Sequence, residues 1–244
     1  MPKSKAHCWT VDSLLLQLEG LWARYKALKR LEDYHVLRAD CAALQRHFGI
    51  WADGQAPEAR PIAVASLGRH NKTSSASVGC WPSRVDTYSD LYIAGVWNIA
   101  RVARLLLFAL TLRISDGLGE TGAHMRMMCS TNAIVEDILA SVPYHLAENL
   151  YEFLDSPTDG ITEPGKTLGG LLIMYPLYLT STVPFVGEPI KSYLRDSLSW
   201  IGSNMGIGHA ERLAKVNEGP EINSRTSAKS SCSSSPSMST RNPS

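Results

Sequence analysis

The sequence predicts an all-α protein: a helical, bundle-like regulatory domain with a long N-terminal helical arm and a Ser-rich tail. Three observations predict it. Asp86–Arg113 is a 28-residue run of helical apolar spacing with Arg101 and Arg104 near its middle, so it has to lie inside something folded. Apolar residues elsewhere recur three and four apart, and no segment competes with a strand-like alternation. With 244 residues, 44% apolar and 19% charged, the chain can bury one sizeable core.

The elements follow in order. Asp12 is the expected N-cap of a helix reaching Phe48, with Gly49 as its stop. Leu14, Leu18, Leu21, Tyr25 and Leu28 step by four and three; the stripe slips at Leu31 and resumes through Leu37, Cys41, Leu44 and Phe48. Gly20 and the slip predict two helices or one bent helix, and the irregular repeat favours packing on the domain over a coiled-coil arm. Residues 1–52 form this arm. Residues 53–85 read as a loop or linker, because Gly54, Pro57, Pro61, Gly68, Gly79 and Pro82 punctuate it and periodicity vanishes. Asn71-Lys72-Thr73 matches a glycosylation acceptor but is read as chance, since no signal peptide precedes it.

Residues 86–216 are the helical body. Thr87 is the expected cap of its first helix, with Asp90 three residues on and an inner stripe of Tyr92, Val96, Ile99, Ala103, Leu106 and Leu110, thickened by Trp97. A second helix is expected from Asn132 to Leu154, apolar at Ile134, Ile138 and Leu139 and split or kinked at Pro143. The third, Leu168–Val186, is uncharged, with Pro176, Pro184 and the Thr180–Thr182 cluster expected to break its continuity. A fourth opens on Pro189, turns Ile190, Leu194, Leu198, Ile201 and Met205 inward, and weakens at Gly206 and Gly208. Ten serines fill the last 21 residues, so 217–244 reads as a disordered tail open to phosphorylation.

Charge and cysteine usage exclude several function classes. Lys plus Arg is 24 against 23 for Asp plus Glu, so a net charge of +1 provides no field to hold a polyanion. Five scattered cysteines, Cys8, Cys41, Cys80, Cys129 and Cys232, fit reduced thiols of cytosol or nucleus. Membrane insertion is not expected. In Leu91–Arg113 eleven Leu, Ile, Val or Phe residues contribute about −3 to −7 kcal/mol, which about +5 to +7 for Arg101 and Arg104 offsets.

One catalytic motif matches letter for letter: Gly160, Gly165, Lys166 and Thr167 spell the GxxxxGKT phosphate loop. Its context argues against phosphate binding. Tyr151–Asp159 reads as helix end and turn where a strand is needed, and Pro164 removes an amide from the cradle. His7-Cys8, His124 near Cys129, and His209 near Glu211 lack paired zinc spacing, so no metal is expected. His145 and Glu148 share a helical face downstream of Glu136-Asp137, a pattern more common in solvated pairs than in acid–base catalysis. Met125, Met127, Met128 and Met174 read as core filling, and no catalytic or cofactor-binding residue is assigned.

Four blocks carry a family resemblance. They are Asp86-Thr87-Tyr88-Ser89-Asp90-Leu91-Tyr92, running into Ala94–Asn98 with Arg101 and Arg104; Ile138–Leu146; Gly169-Gly170 with Pro176-Leu177-Tyr178; and Trp200-Ile201-Gly202 with Met205-Gly206-Ile207. In order and spacing they resemble the C-terminal regulatory region, the fungal-specific transcription factor domain, of fungal zinc binuclear cluster (six-cysteine) transcription factors. Asp40–Leu44 with Phe48 and Trp51 resembles the helix preceding them, so the resemblance covers residues 30–216. It implies an all-α regulatory module of the nucleus, acting on metabolic or secondary-metabolite gene clusters. The Cys-x-x-Cys spacing of the family's DNA-reading zinc cluster is absent here, so direct DNA binding by this chain is not expected. The resulting expectation is a non-enzymatic regulator working through protein contacts or self-association, with a small-molecule effector compatible with it. The alternatives are a biosynthetic-cluster enzyme with His145 and Glu136 in a helical pocket, or a plain scaffold.

Overall fold

The computed structural model describes residues 9–68, 77–120, 122–157 and 160–216, with 123–126 described as backbone only. Eight helices and one two-stranded sheet are present among them, so the chain is all-α. Asn71 and the Ser-rich tail lie outside the described residues.

The arm is two helices, α1 (Val11–Ala27) and α2 (Leu31–Asp53). Thr10 caps α1 in place of Asp12: its hydroxyl accepts from the Ser13 amide while Ser13 reciprocates. The break falls at the slip in the stripe, where Leu28 and Arg30 turn extended. Gly49 does not stop α2; an open interior position tolerates glycine, and the helix runs on to Gly54.

The segment read as loop holds β1 (Ile62–Ser66), and β2 (Arg84–Thr87) runs from its end into the expected body; the two pair antiparallel with Ile62 opposite Thr87 and Ser66 opposite Arg84. Strands this short carry too few residues for alternation to show. What makes β2 a strand is its packing on a helix of the body, which buries Val85 and Asp86.

α3 (Leu91–Gly117) is capped by Asp90, whose carboxylate accepts from the Ile93 amide at 2.8 Å, and not by Thr87, which ends β2. Its expected inner stripe is also revised. Tyr92 and Ile99 are exposed, while Ala94, Asn98, Arg101, Val102, Leu105 and Leu107 join Ala103 and Leu110 in burial. The reason is that α3 is covered on two sides, so a single stripe underestimates what it hides. By length and composition α3 is the one described helix able to cross a bilayer; here other helices cover it.

α4 (Ala123–Leu146) carries Pro143 within its last turns without splitting there, because the chain leaves the helix at Ala147, four residues on. Asn149 then caps the short α5 (Leu150–Asp155). α6 (Thr167–Thr182) passes through Pro176 unbroken, the expected interruption being overridden by burial of Ile173, Met174, Pro176 and Leu177. α7 (Glu188–Asn204) opens on Pro189, and Gly206, at φ +73°, turns the chain into α8 (Gly208–Val216).

Two apolar clusters result. The larger gathers residues of β2, α3, α4, α6, α7 and α8, with Tyr193, Leu194, Leu198 and Ile138 at its centre. The smaller joins Leu14, Leu18, Leu37, Cys41, Leu44 and Phe48 of the arm to Ala103, Leu107, Leu110 and Ile114 of α3. The arm is thus packed against the body along α3.

Candidate functional site: a buried polar junction

Between β2, α3, α4 and α6 lies a set of polar side chains that a helical core has to satisfy internally. Arg101 projects from the middle of α3 and is 4% exposed. Its Nη1 donates to the Tyr88 hydroxyl at 2.8 Å and to Asn98 Oδ1 at 3.0 Å. Its other nitrogens face two carboxylates at longer range, Asp86 at 3.9 Å and Asp137 at 3.8 Å. Arg84 on β2 clamps the same two acids closely, at 2.8 Å to Asp86 and 2.6 Å to Asp137. Two guanidinium groups and two carboxylates therefore balance, which is what allows Asp86 and Arg101 to be buried at all. The Tyr88 and Trp97 rings flank Arg101 at 5.9 and 5.8 Å, and Trp97 Nε1 donates to the Ala59 carbonyl at 2.7 Å, tying the linker to α3.

A neutral chain of hydrogen bonds continues into α4. Asn98 donates to Ser141 Oγ at 2.9 Å and lies 3.1 Å from His145 Nε2, while Ser141 donates to the Ile138 carbonyl at 2.7 Å. Burial, and then the charge of Arg101, push the His145 imidazole down to about 3, so it is neutral at any ordinary pH. Burial likewise raises Tyr88, while the hydrogen bond from Arg84 to Asp86 holds that guanidinium above its usual range.

Glycines set the approach of the helices around the junction. A Cβ on Gly169 would stand 1.9 Å from the His145 carbonyl oxygen, so α6 reaches α4 only because that position has no side chain. Gly170 meets Met205, Ile207 and Ile201, and Gly202 meets Glu211, in contacts a Cβ would close to 2.7 Å. The blocks that carry the family resemblance are the ones brought together here: Asp86, Tyr88, Asn98 and Arg101 from the first, Ser141 and His145 from the second, Gly169 from the third, with Ile201, Met205 and Ile207 of the fourth against Gly170.

The other sequence candidates separate. Glu136 is exposed on α4 while His145 is buried, and α4 ends before Glu148, so no acid–base pair forms. Gly160, Gly165, Lys166 and Thr167 follow a helix, α5, and not a strand. The Gly165 amide is spent on the Leu146 carbonyl at 2.7 Å, the Ile161 amide on Val78 at 3.0 Å, and Lys166 points to solvent as the residue before α6. Two of the amides such a cradle would use are therefore already bonded within the protein. Among the described residues no group of three or more His, Cys, Asp or Glu gathers to hold a metal. Cys41 is buried, and burial raises its thiol to about 11, far from a reactive thiolate. Sequence reasoning marks Arg101 as a core oddity but misses its partners; an arginine in a helix apolar and long enough to cross a bilayer is the available signal, and nothing local names Asp137, 36 positions away.

No family model matches the chain, and no solved structure matches it. The chain is similar to a curated protein, transcription factor dbaG of Emericella nidulans, with 37% identity over 216 residues. The match takes in 85% of this chain and 51% of that protein, so the chain spans about half the length of the curated relative it matches. The similarity supports a relation to fungal transcription factors.

Proposed function

We propose that this chain is a transcription-regulatory helical domain of the fungal-specific type, acting in the nucleus through protein contacts and carrying no DNA-reading zinc cluster of its own. The observation that bears most weight is the similarity to a named transcription factor over most of the chain. The junction supports it from the physical side. Its buried charges are mutually neutralised, its imidazole cannot titrate near neutrality, and its residues specify how helices meet without offering a nucleophile, base or metal cage. Such a network stabilises one arrangement of surfaces, which is what a module read by other proteins requires. Regulation of a metabolic or secondary-metabolite gene cluster is the role this reading assigns it.

Deletion of the gene in the source organism, followed by transcript profiling and metabolite analysis, tests the proposal. The expected result is a coordinated change in a contiguous set of genes together with nuclear accumulation of a fluorescent fusion. Unchanged transcripts with loss of a single metabolite would instead assign the chain to an enzymatic step.

A further inference from the structure

Arg84 and Arg101 face the same two carboxylates, one from the surface and one from the core. Arg84, its side chain 42% exposed, bonds both oxygens of Asp86, at 2.8 and 3.1 Å, and one oxygen of Asp137, Oδ1, at 2.6 Å. Arg101, buried, points Nη2 at Asp86 Oδ2 from 3.9 Å and Nε at Asp137 Oδ2 from 3.8 Å. That Nε donates no hydrogen bond, and Asp137 Oδ2 accepts none among the described residues. A buried donor without an acceptor is costly, and here the acceptor stands only about 1 Å farther off than a charge-assisted bond requires.

A third cation stands beside them. Arg104 lies one turn on from Arg101 along α3, half-buried, forms no ion pair among the described residues, and has Gln45 Oε1, at 3.4 Å, as its hydrogen-bond acceptor. Burial lowers the pKa of its guanidinium, and the charge of Asp137 opposes that lowering, so the acid's field reaches it. Three guanidinium groups thus act on two carboxylates, and Arg84 is the exposed one.

We propose that Arg84 and Arg101 form a two-position latch, in which Arg84 swings out to solvent and Arg101 closes on Asp86 and Asp137 in its place. With Arg84 in, β2 is tied to α4 at the surface through Asp137. With Arg84 out, the tie runs through the core, Asp86 of β2 and Asp137 of α4 both meeting Arg101, while Arg104 keeps two cations against two acids. β2 stays docked in both positions, since Val85 and Tyr88 hold it in the core. The exchange trades a half-exposed pair, which is weak, for the hydrogen bond that the buried Nε lacks, so the two positions lie close in free energy. Released, Arg84 offers a free guanidinium at the surface, and an external oxyanion can engage it without unbalancing the core.

Heteronuclear NMR of the arginine Nε–Hε groups in the 244-residue chain, paired with urea denaturation, tests this on wild type and Arg84→Gln. The substitution should lower the folding equilibrium constant by less than about tenfold, the loss expected of a half-exposed pair whose acids find another partner. The Arg101 Hε resonance should move downfield and exchange with water at least about tenfold more slowly, as its bond to Asp137 forms. Both results are required. An Arg84→Gln chain that fails to fold, or loses more than about tenfold, would show that nothing replaces Arg84 and overturn the inference. So would a well-folded variant whose Arg101 Hε matches wild type, since a surface pair would then have been lost with no handover.

Discussion

The two sides of α3 are buried by different means. Toward the arm, α3 presents Ala103, Leu107, Leu110 and Ile114 to Leu14, Leu37, Leu44 and Phe48, a mostly apolar contact to which Gln45 adds a hydrogen bond to the Arg104 carbonyl, while the arm's own ion pairs, Arg24–Asp40 and Arg30–Asp33, stay on the surface. Toward the body, the same helix buries Asn98 and Arg101 and meets helices whose spacing depends on glycine. An apolar contact tolerates substitution if volume is kept, whereas a balanced set of buried charges fails when one member is removed. The body side determines which helices meet and how, while the arm side contributes mostly burial.

The largest expected effect is on the body side. Arg101→Ala removes one of the two cations holding Asp86 and Asp137 and should cost about 3–5 kcal/mol, read by urea denaturation. Arg24→Ala, at an exposed pair of the arm, should cost under about 1 kcal/mol in the same assay. Equal losses would break the contrast. Gly169→Ala should follow closely at about 3 kcal/mol or more, because a methyl group 1.9 Å from the His145 carbonyl oxygen forces α6 off α4; a melting temperature unchanged from wild type would show that the helices can slide apart freely.

A smaller effect comes from pH. His145 titrates at about 3 in the fold against an ordinary value near 6.5, so below that value the unfolded chain binds the extra proton. Its contribution is present in full above pH 6.5 and is lost as pH falls toward 3, at about 1.4 kcal/mol per pH unit. The contribution should vanish in His145→Gln, measured as a flatter stability profile between pH 6.5 and about 4.5; an identical slope would place the titrating group elsewhere. The smallest effect has the opposite sign. Gly20 sits inside α1 with open space where a Cβ would stand, nothing lying within 4 Å, so Gly20→Ala should stabilise the arm by about 0.5–1 kcal/mol, seen as a raised urea midpoint.

Legibility in the sequence divides along the same line. The arm's stripe, Leu14, Leu18, Leu21, then Leu37, Cys41, Leu44 and Phe48, is readable because each arm helix buries a single face and the period of 3.6 survives. On α3 that logic misplaces Tyr92 and Ile99, since a helix covered from two directions has no single inner stripe. β2 is hidden because four residues cannot display alternation, and Thr87 stands in for the true Asp90 cap because both offer an oxygen and only the backbone path decides which one the helix uses.

By itself the sequence determined the helical class, the order of its segments and the lack of paired zinc-binding spacing, because periodicity, composition and spacing are local properties of the chain. Only the tertiary structure decided that Arg84, Asp86, Arg101 and Asp137 neutralise one another, that Asn98 reaches Ser141 and His145, and that Gly169 lets α6 touch α4. Those contacts join residues tens of positions apart, and their energies arise from burial and mutual distance, which exist only once the helices have packed.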